Sequence, residues 1–120
     1  MKVQIRVKSG FTLVEIMIVV AIIGLLVSIA IPNFVHARSS AQQNACINNL
    51  RQIDGAAQTW ALEHNKDSTS PYTLTSIMPY VKLDSNGRLP SCPASGSYAA
   101  GASVSNAPTC SLSGIGHKLP

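Results

Sequence analysis

The chain has 120 residues, of which nine are basic and five are acidic, and its formal net charge is +4 at pH 7. Hydrophobic residues make up 46% of the chain, but they are concentrated in one run near the N-terminus. The basic residues beyond the first ten positions are not clustered in sequence, which argues against a nucleic-acid-binding domain held by phosphate contacts. The concentration of apolar residues also argues against a large enzyme and indicates a membrane.

The apolar run predicts a membrane-spanning helix. It holds 17 hydrophobic residues in the 21 positions from Phe11 to Ile31, and as a helix it would be about 31 Å long, which matches the hydrocarbon thickness of a bilayer. The basic residues Lys2, Arg6 and Lys8 precede it, which predicts a cytoplasmic N-terminus and an exported C-terminal part. The residues from 32 to 38 match a signal-peptide cleavage site poorly, so we expect the run to be retained.

Glu15 is the one acidic residue inside this run. A carboxylate is costly within a bilayer unless it lies near the surface or meets a partner. Glu15 is therefore either a boundary residue at headgroup level or a group that meets a positive charge in an assembly. Its position shortly after Ser9-Gly10 favours the second interpretation.

The stretch Lys8-Ser9-Gly10-Phe11-Thr12-Leu13-Val14-Glu15, followed by the apolar run, resembles the N-terminus of type IV pilin precursors and of type II secretion pseudopilins. The resemblance covers about residues 6–35. It implies that a membrane prepilin peptidase cuts between Gly10 and Phe11 and methylates the new amino terminus at Phe11. A glycine before the cut has no Cβ, so a peptidase can approach the backbone closely.

The resemblance also implies assembly roles for Glu15, Gly24 and Pro32. In pilin-like filaments this glutamate neutralises the N-terminal amine of a neighbouring subunit, and an ammonium group and a carboxylate are each less costly in lipid together than alone. Members of the family also lose helicity locally between a glycine and a proline, which Gly24 and Pro32 match. A proline inside a helix removes a hydrogen bond and kinks or interrupts the helix.

Beyond Pro32 a second helical pattern continues to about Asn65. An apolar stripe recurs at steps of four, three, four and three residues. Its members are Cys46, Leu50, Ile53, Ala57 and Trp60. Gly55 lies inside the pattern and costs about 1 kcal/mol relative to alanine, which close packing would explain. We expect one long helix over residues 11–65, bent near Pro32, with the stripe beneath a small head.

Residues 66–120 are rich in turn-forming residues, since Ser, Thr, Pro, Gly and Asn occupy 28 of the 55 positions. Thr73–Val81 predicts a short helix or turn that is interrupted at Pro79. Apolar pieces around Tyr98, at Val104 and at Cys110–Leu112 predict a small antiparallel sheet, with His117–Leu119 as a last edge. Because such a head is too small for a good core of its own, it should pack on the stripe.

These elements predict an α+β, pilin-like fold, with a long N-terminal helix packed against a small C-terminal antiparallel sheet. We divide the chain into four segments. They are a basic leader removed on maturation (1–10), a transmembrane and polymerisation helix (11–32), an amphipathic helical spine (33–65) and a disulfide-stapled head (66–120).

Three cysteines are an odd number for an exported chain. Cys92 and Cys110 flank the predicted sheet and enclose 17 residues, and a disulfide there would stabilise the head by about 3 kcal/mol in the loop-entropy model. We predict this bond, with Cys46 as a buried thiol, although Cys46 could instead pair with either of the others. Cys92, Cys110 and His117 offer three metal ligands, but no CxxC spacing supports a metal site, and we predict none.

The sequence contains no Ser/His/Asp grouping, phosphate-binding glycine loop or HExxH motif, and we predict a protein that is not an enzyme and has no cofactor. Some major pseudopilins of type II secretion systems carry an acid-rich calcium loop near the C-terminus. The segment after Asp84 contains no acidic residue, which argues against calcium binding and against a close match to that subgroup.

The resemblance predicts a filament subunit that is inserted in the bacterial inner membrane with an exported head. Its expected partners are other copies, related pilin-like subunits, the prepilin peptidase, an inner-membrane assembly platform and membrane lipid, without direct nucleic acid binding. We favour a type II secretion pseudopilin. The alternatives are a type IV pilin for adhesion, motility or DNA uptake, and a monomeric membrane-anchored binding module that has no need for Glu15.

Overall fold

A computed structural model describes all residues from 1 to 120. Helix α1 covers Leu13–Glu63 and helix α2 covers Leu74–Ile77, which continues into a 3₁₀ helix over Met78–Tyr80. Strands β1 (Tyr98–Ala99) and β2 (Thr109–Cys110) follow, and a second 3₁₀ helix covers Ser113–Ile115. The chain forms two compact units, residues 1–36 and 37–120. This is the predicted α+β class, a long N-terminal helix with a small antiparallel sheet.

The first unit contains the apolar half of α1. Residues 1–12 have no regular structure and are exposed. The large hydrophobic side chains from Leu13 to Ile31 are all exposed, with exposed fractions between 43% and 75%. The helix is long and apolar enough to cross a membrane. Pro32 lies inside α1, and the helix continues through it.

The C-terminal end of α1 is capped by its own backbone. Asn65 adopts the left-handed conformation with φ of 50°, which asparagine tolerates better than most residues. The N–H of Lys66 then donates to the Ala61 carbonyl at 2.8 Å, and the N–H of Asn65 donates to the Leu62 carbonyl at 3.4 Å. This pair of bonds is a Schellman motif, which satisfies carbonyls that the helix leaves open. The helix therefore ends close to the predicted residue.

The second unit is organised around the apolar stripe of α1. Cys46, Leu50, Ile53 and Ala57 are completely buried, as predicted. The stripe is wider than the pattern indicated, because Ala56 and Ala61 are also buried, whereas Trp60 is half-buried at the edge of the core.

Two apolar clusters form along this stripe. The first joins the stripe to α2 and the loops of the head through Tyr72, Ile77, Val81 and Val104. The second joins Cys46 and Leu50 to Cys92 and Cys110. Both clusters draw on α1, so the head depends on the helix for its core, as expected for so small a domain.

The predicted helix at residues 73–81 is confirmed, and its start has a clear physical cause. The Thr73 hydroxyl accepts a hydrogen bond from the Ser76 N–H at 3.2 Å, and the Ser76 hydroxyl accepts one from the Thr73 N–H at 3.1 Å. This reciprocal capping satisfies two amide groups that a helix start leaves unpaired. Pro79 falls within the 3₁₀ helix that follows.

The sheet is smaller than predicted. β1 and β2 pair antiparallel, with Tyr98 opposite Cys110 and Ala99 opposite Thr109. Val104 is not in a strand but is buried in the loop between them. Residues 117–119 form no edge strand either, and His117 is instead buried, with 4% of its surface exposed. Short apolar pieces indicate burial, but they do not distinguish a strand from a buried loop.

Gly55 is not explained by close packing, contrary to our expectation. It is exposed on α1, and a Cβ built there would meet no atom within 4 Å.

We therefore expect Gly55→Ala to stabilise the head by about 1 kcal/mol, since alanine has the higher helix propensity and nothing obstructs its methyl group. The measurement is thermal unfolding of the full chain in detergent, followed by the fluorescence of the single tryptophan, Trp60. Ala41→Gly, at another exposed position of α1, is the control and should lower the transition by a similar amount. A destabilising Gly55→Ala would contradict the prediction.

Candidate functional site

The start of α1 is fixed by a second reciprocal cap, formed by Thr12 and Glu15. The N–H of Glu15 donates to the Thr12 hydroxyl at 3.2 Å, and the N–H of Thr12 donates to Glu15 Oε2 at 2.8 Å. The Thr12 hydroxyl also donates to Glu15 Oε2 at 3.0 Å. This is a capping box, in which a carboxylate near the helix start satisfies a free amide. Glu15 therefore has a partner within its own chain, a role that our sequence analysis missed although the Thr-x-x-Glu spacing predicts it.

The other residues singled out in the N-terminal part are accessible. Gly10 and Phe11 precede the helix in exposed backbone without regular structure. Gly24 and Pro32 are exposed on α1, and a Cβ at Gly24 would meet no atom within 4 Å. The helix is intact between these two residues.

In the second unit, the structure brings all three cysteines and one histidine together. Cys46 comes from α1, Cys92 from the segment before β1, Cys110 from β2 and His117 from the turn after the last 3₁₀ helix. One ligand atom of each of the four lies within 4.8 Å of the others. We call these four residues the Cys3His cluster. All four are buried, with exposed fractions of 0 to 4%.

The three cysteines are free thiols in this structure. The disulfide between Cys92 and Cys110 stays a prediction. Cys46 is buried, as predicted, but it lies beside the other two sulfurs rather than apart from them. Cys92 Sγ is 3.5 Å from His117 Nδ1.

The backbone after Cys92 folds around its sulfur. The segment turns back on itself, with the N–H of Ser95 donating to the Cys92 carbonyl at 3.0 Å. Burial opposes charge on the Cys92 sulfur, but hydrogen bonds from the N–H groups of Ala94 and Gly96 and from the two neighbouring thiols together lower its pKa. The Cys92 thiol therefore ionises more readily than an ordinary cysteine.

The Cys46 thiol is in the opposite situation. Burial raises its pKa to about 12, against a hydrogen bond from the Tyr98 hydroxyl. Asn49 Nδ2 in turn donates to that hydroxyl oxygen at 3.1 Å. Tyr98, opposite Cys110 in the sheet, thus links the strand pair to the helix beside the Cys3His cluster.

Amide side chains of α1 hold the cluster segments in place. Gln42 Nε2 donates to the Pro93 carbonyl at 3.2 Å, next to Cys92. Gln43 Nε2 donates to the Gly116 carbonyl at 3.0 Å, next to His117. Each glutamine thus binds a backbone group adjacent to a cluster residue.

Two further amides bind head carbonyls in the same way. Asn49 Nδ2 donates to Ser91 at 3.3 Å, and Gln58 Nε2 donates to Val104 at 2.9 Å. Our sequence analysis did not single out these polar residues. Their positions beside the apolar stripe are the sequence feature that could have indicated these contacts with the head.

Two glycines allow the segments to come this close. A Cβ at Gly96 would lie 2.8 Å from Cys110 Sγ and 3.2 Å from Leu112. Gly116 has φ of 95°, which favours glycine, and a Cβ there would lie 2.4 Å from Gln43 Nε2. Both glycines border the Cys3His cluster.

Comparisons with known proteins identify the N-terminal part. Residues 5–31 match the family described as the prokaryotic N-terminal methylation motif. The chain is 31% identical to the type II secretion system core protein G of Aeromonas hydrophila over 75 residues, which are 62% of this chain and 52% of that protein. It is 44% identical to the type IV major pilin protein PilA of Myxococcus xanthus over 59 residues, 49% of this chain and 27% of that protein.

The N-terminal part of the chain carries the methylation motif, and its relatives are secretion core proteins and type IV pilins. A fimbrial protein of Pseudomonas aeruginosa is also similar, at 40% identity over 58 residues, 48% of this chain and 38% of that protein. The chain thus spans about half the length of the secretion protein and less of the two pilins. No solved structure matches it significantly. The names of these relatives are those of secretion-system and pilus proteins and not of enzymes.

The close contact of Gly96 with Cys110 and Leu112 leads to a testable prediction. Gly96→Ala should destabilise the head by about 1–3 kcal/mol, because its methyl group would displace the Cys110 sulfur or Leu112 from a packed core. Thermal unfolding followed by Trp60 fluorescence measures the loss. Gly114→Ala is the matched control, since a Cβ at Gly114 meets no atom within 4 Å. Equal stability of the two variants would refute the packing argument.

Proposed function

We propose that this chain is a subunit of a pilus-like filament. In this proposal it is inserted as a precursor, cut after Gly10, methylated at Phe11 and polymerised through the apolar half of α1. The observation that carries the proposal is the methylation motif over residues 5–31, which ends in a helix whose apolar side chains are exposed.

The exposed apolar helix supports a membrane-bound precursor and a packed final state. A row of exposed Ile, Val and Leu side chains from residue 13 to 31 is much larger than a soluble monomer tolerates. Lipid covers such a surface before assembly, and the helices of other subunits cover it in a filament. We propose the bacterial inner membrane as the first location, with the N-terminus cytoplasmic and the head exported because the leader is basic.

The leader, segment 1–10, fits removal by a peptidase. It has no regular structure and is exposed, so the bond between Gly10 and Phe11 is accessible to a peptidase. Its loss removes three of the nine basic residues, so that six basic residues face five acidic ones and the formal charge falls from +4 to +1. Cleavage also creates an ammonium group at Phe11, beside the capped start of α1.

We propose that Glu15 exchanges hydrogen-bond partners during assembly. In the single chain its carboxylate accepts hydrogen bonds from the backbone and hydroxyl of Thr12. We propose that the methylated amine of a neighbouring subunit joins this carboxylate in the filament, since opposite charges lower each other's cost in an apolar medium. The exposed pair Gly24 and Pro32 bounds the part of α1 that we expect to lose helicity when subunits pack.

The filament that we favour is the pseudopilus of a type II secretion system. The similarity to core protein G proteins covers the longer stretch, up to 68% of this chain for the protein of Klebsiella pneumoniae. The higher identities to PilA and to the fimbrial protein favour a type IV pilus as the second candidate. Both filaments would use the same processing and the same helix.

The processing step can be tested on the protein from the membranes of its own cell. We expect its intact mass and N-terminal sequence to show a chain that begins at N-methylated Phe11. Gly10→Val should leave the leader attached, because a branched side chain obstructs the approach to the bond, whereas Ser9→Ala should be cut normally. A native chain that still begins at Met1, or that has lost the apolar helix, would contradict the proposal.

The role of Glu15 can be separated from helix capping by two variants. Glu15→Gln removes the charge but keeps a side chain that can cap, whereas Thr12→Ala removes the hydroxyl of the cap but keeps the charge. We expect both to insert and to be processed, and Glu15→Gln alone to be lost from filaments, by tenfold or more when sheared filament and membrane fractions are compared by immunoblot.

Normal assembly of Glu15→Gln would refute the charge-pairing proposal. Absence of a filament from the wild-type cell would favour a monomeric anchored binding module instead. If filaments form, loss of secretion or loss of surface pili in a deletion strain distinguishes the two filament types.

A further inference from the structure

We propose that the Cys3His cluster is a structural zinc site, with Cys46, Cys92, Cys110 and His117 as its four ligands. The site lies entirely within residues 37–120 and is independent of the membrane helix. It goes beyond the filament function, because it concerns how the head is held on α1. The sequence predicted no metal and a disulfide instead, so the proposal replaces that hypothesis with one that uses all four residues.

The spacing of the four ligand atoms fits a tetrahedral ion. Zinc lies about 2.3 Å from a cysteine sulfur and about 2.0–2.1 Å from a histidine nitrogen. For tetrahedral angles these lengths put two sulfurs about 3.8 Å apart and a sulfur and a nitrogen about 3.6 Å apart. The observed distance between Cys92 Sγ and His117 Nδ1 is 3.5 Å, and all four atoms are within 4.8 Å of one another.

The ligand set is one of the standard sets for structural zinc. Three thiolates and one imidazole complete a four-coordinate shell, which leaves no position for a water molecule or substrate. Thiolate ligands also disfavour calcium and magnesium, which bind oxygen. A closed site of this kind stabilises a fold and performs no chemistry, in agreement with a protein that is not an enzyme.

The surroundings of the cluster suit ionised sulfur. On binding, each thiol loses its proton to solvent, so the zinc ion and three thiolates carry a net charge of −1 with a neutral imidazole. The N–H groups of Ala94 and Gly96 point at the Cys92 sulfur and stabilise this negative charge. The carbonyls beside Cys92 and His117 are held by Gln42 and Gln43, which fixes two of the ligands before metal arrives.

A disulfide would involve only two of the four cluster residues. Its two sulfurs must approach to about 2.0 Å, which leaves the third cysteine and His117 buried without a shared partner. His117 is the one polar residue buried among these sulfurs, and a disulfide assigns it no role. An exported head is a setting in which disulfides form readily, so the experiment must distinguish the two states directly.

The first measurement is metal content and thiol state of the full chain, purified in detergent without reductant. Zinc is measured by inductively coupled plasma mass spectrometry, and free thiols by alkylation of the denatured protein in the presence of a chelator. The proposal expects one zinc ion per chain and three alkylated cysteines. A metal-free chain with a single alkylated cysteine, the signature of one disulfide, would overturn it, as would stoichiometric binding of a different metal.

The second measurement is titration of the reduced, metal-free full chain with Co²⁺ alone and then with Zn²⁺. We expect one cobalt ion per chain, with the absorption bands of tetrahedral thiolate ligation, and displacement of cobalt by zinc. His117→Ala and Cys46→Ala should weaken binding by more than the roughly 10–100-fold that loss of an outer-shell partner costs. His64→Ala, a histidine outside the cluster, should bind as the wild type does.

A further variant distinguishes the loss of a metal ligand from a general failure to fold. His117→Cys supplies a fourth thiolate at the same position, and we expect it to retain one cobalt ion with the charge-transfer absorption of four sulfurs. Failure of the reduced wild type to show thiolate bands overturns the proposal. So does cobalt binding that is unchanged in both His117→Ala and Cys46→Ala.

Discussion

The fold of residues 37–120 depends on one face of α1. The regular structure outside that helix consists of one short α-helix, two 3₁₀ helices and two strands of two residues each, too little to enclose a core. Leu50 and Ile53 are completely buried and anchor the two apolar clusters. Beside them Gln43 and Gln58 donate hydrogen bonds to carbonyls of the head, so segments without ladder partners still satisfy their backbone. One helix face thus supplies both the apolar support and the polar contacts of the head.

The Cys3His cluster lies at the end of that face where burial begins, since Cys46 is the first buried residue of α1. The cluster joins three head segments to the helix, and the strand pairing near it, between β1 and β2, is only two residues long. A link among four distant segments orders more of the folded chain than a link between two. A bond formed within the cluster therefore has a large effect on the stability of so small a head. Gly96 and Gly116 show that the backbone comes close enough for such a bond.

The sequence predicted the helix and its buried stripe because both depend on local periodicity, and Asn65 near the helix end is a residue that tolerates the capping conformation. It predicted the strands less well, since the apolar residue Val104 is buried without forming a ladder. The Cys3His cluster was not predictable, because its successive members are 46, 18 and 7 residues apart in sequence and only the tertiary fold brings them together. His117 in particular offered no signal of burial in its own neighbourhood. The cap formed by Thr12 and Glu15 was predictable, but the family resemblance drew attention to a different role for the same carboxylate.

The two parts of α1 differ in how their apolar surface can be covered. Residues 46–61 carry their apolar side chains on one face, and the head of the same chain covers that face. Residues 13–31 are apolar on all sides, and none of them is buried, so no single contact surface can cover them. Such a helix needs an apolar environment around its whole circumference, which lipid provides and a bundle of like helices also provides. The head is thus completed within one chain, whereas the apolar segment is completed only by other molecules, which is the property that the proposed passage from a membrane to a filament requires.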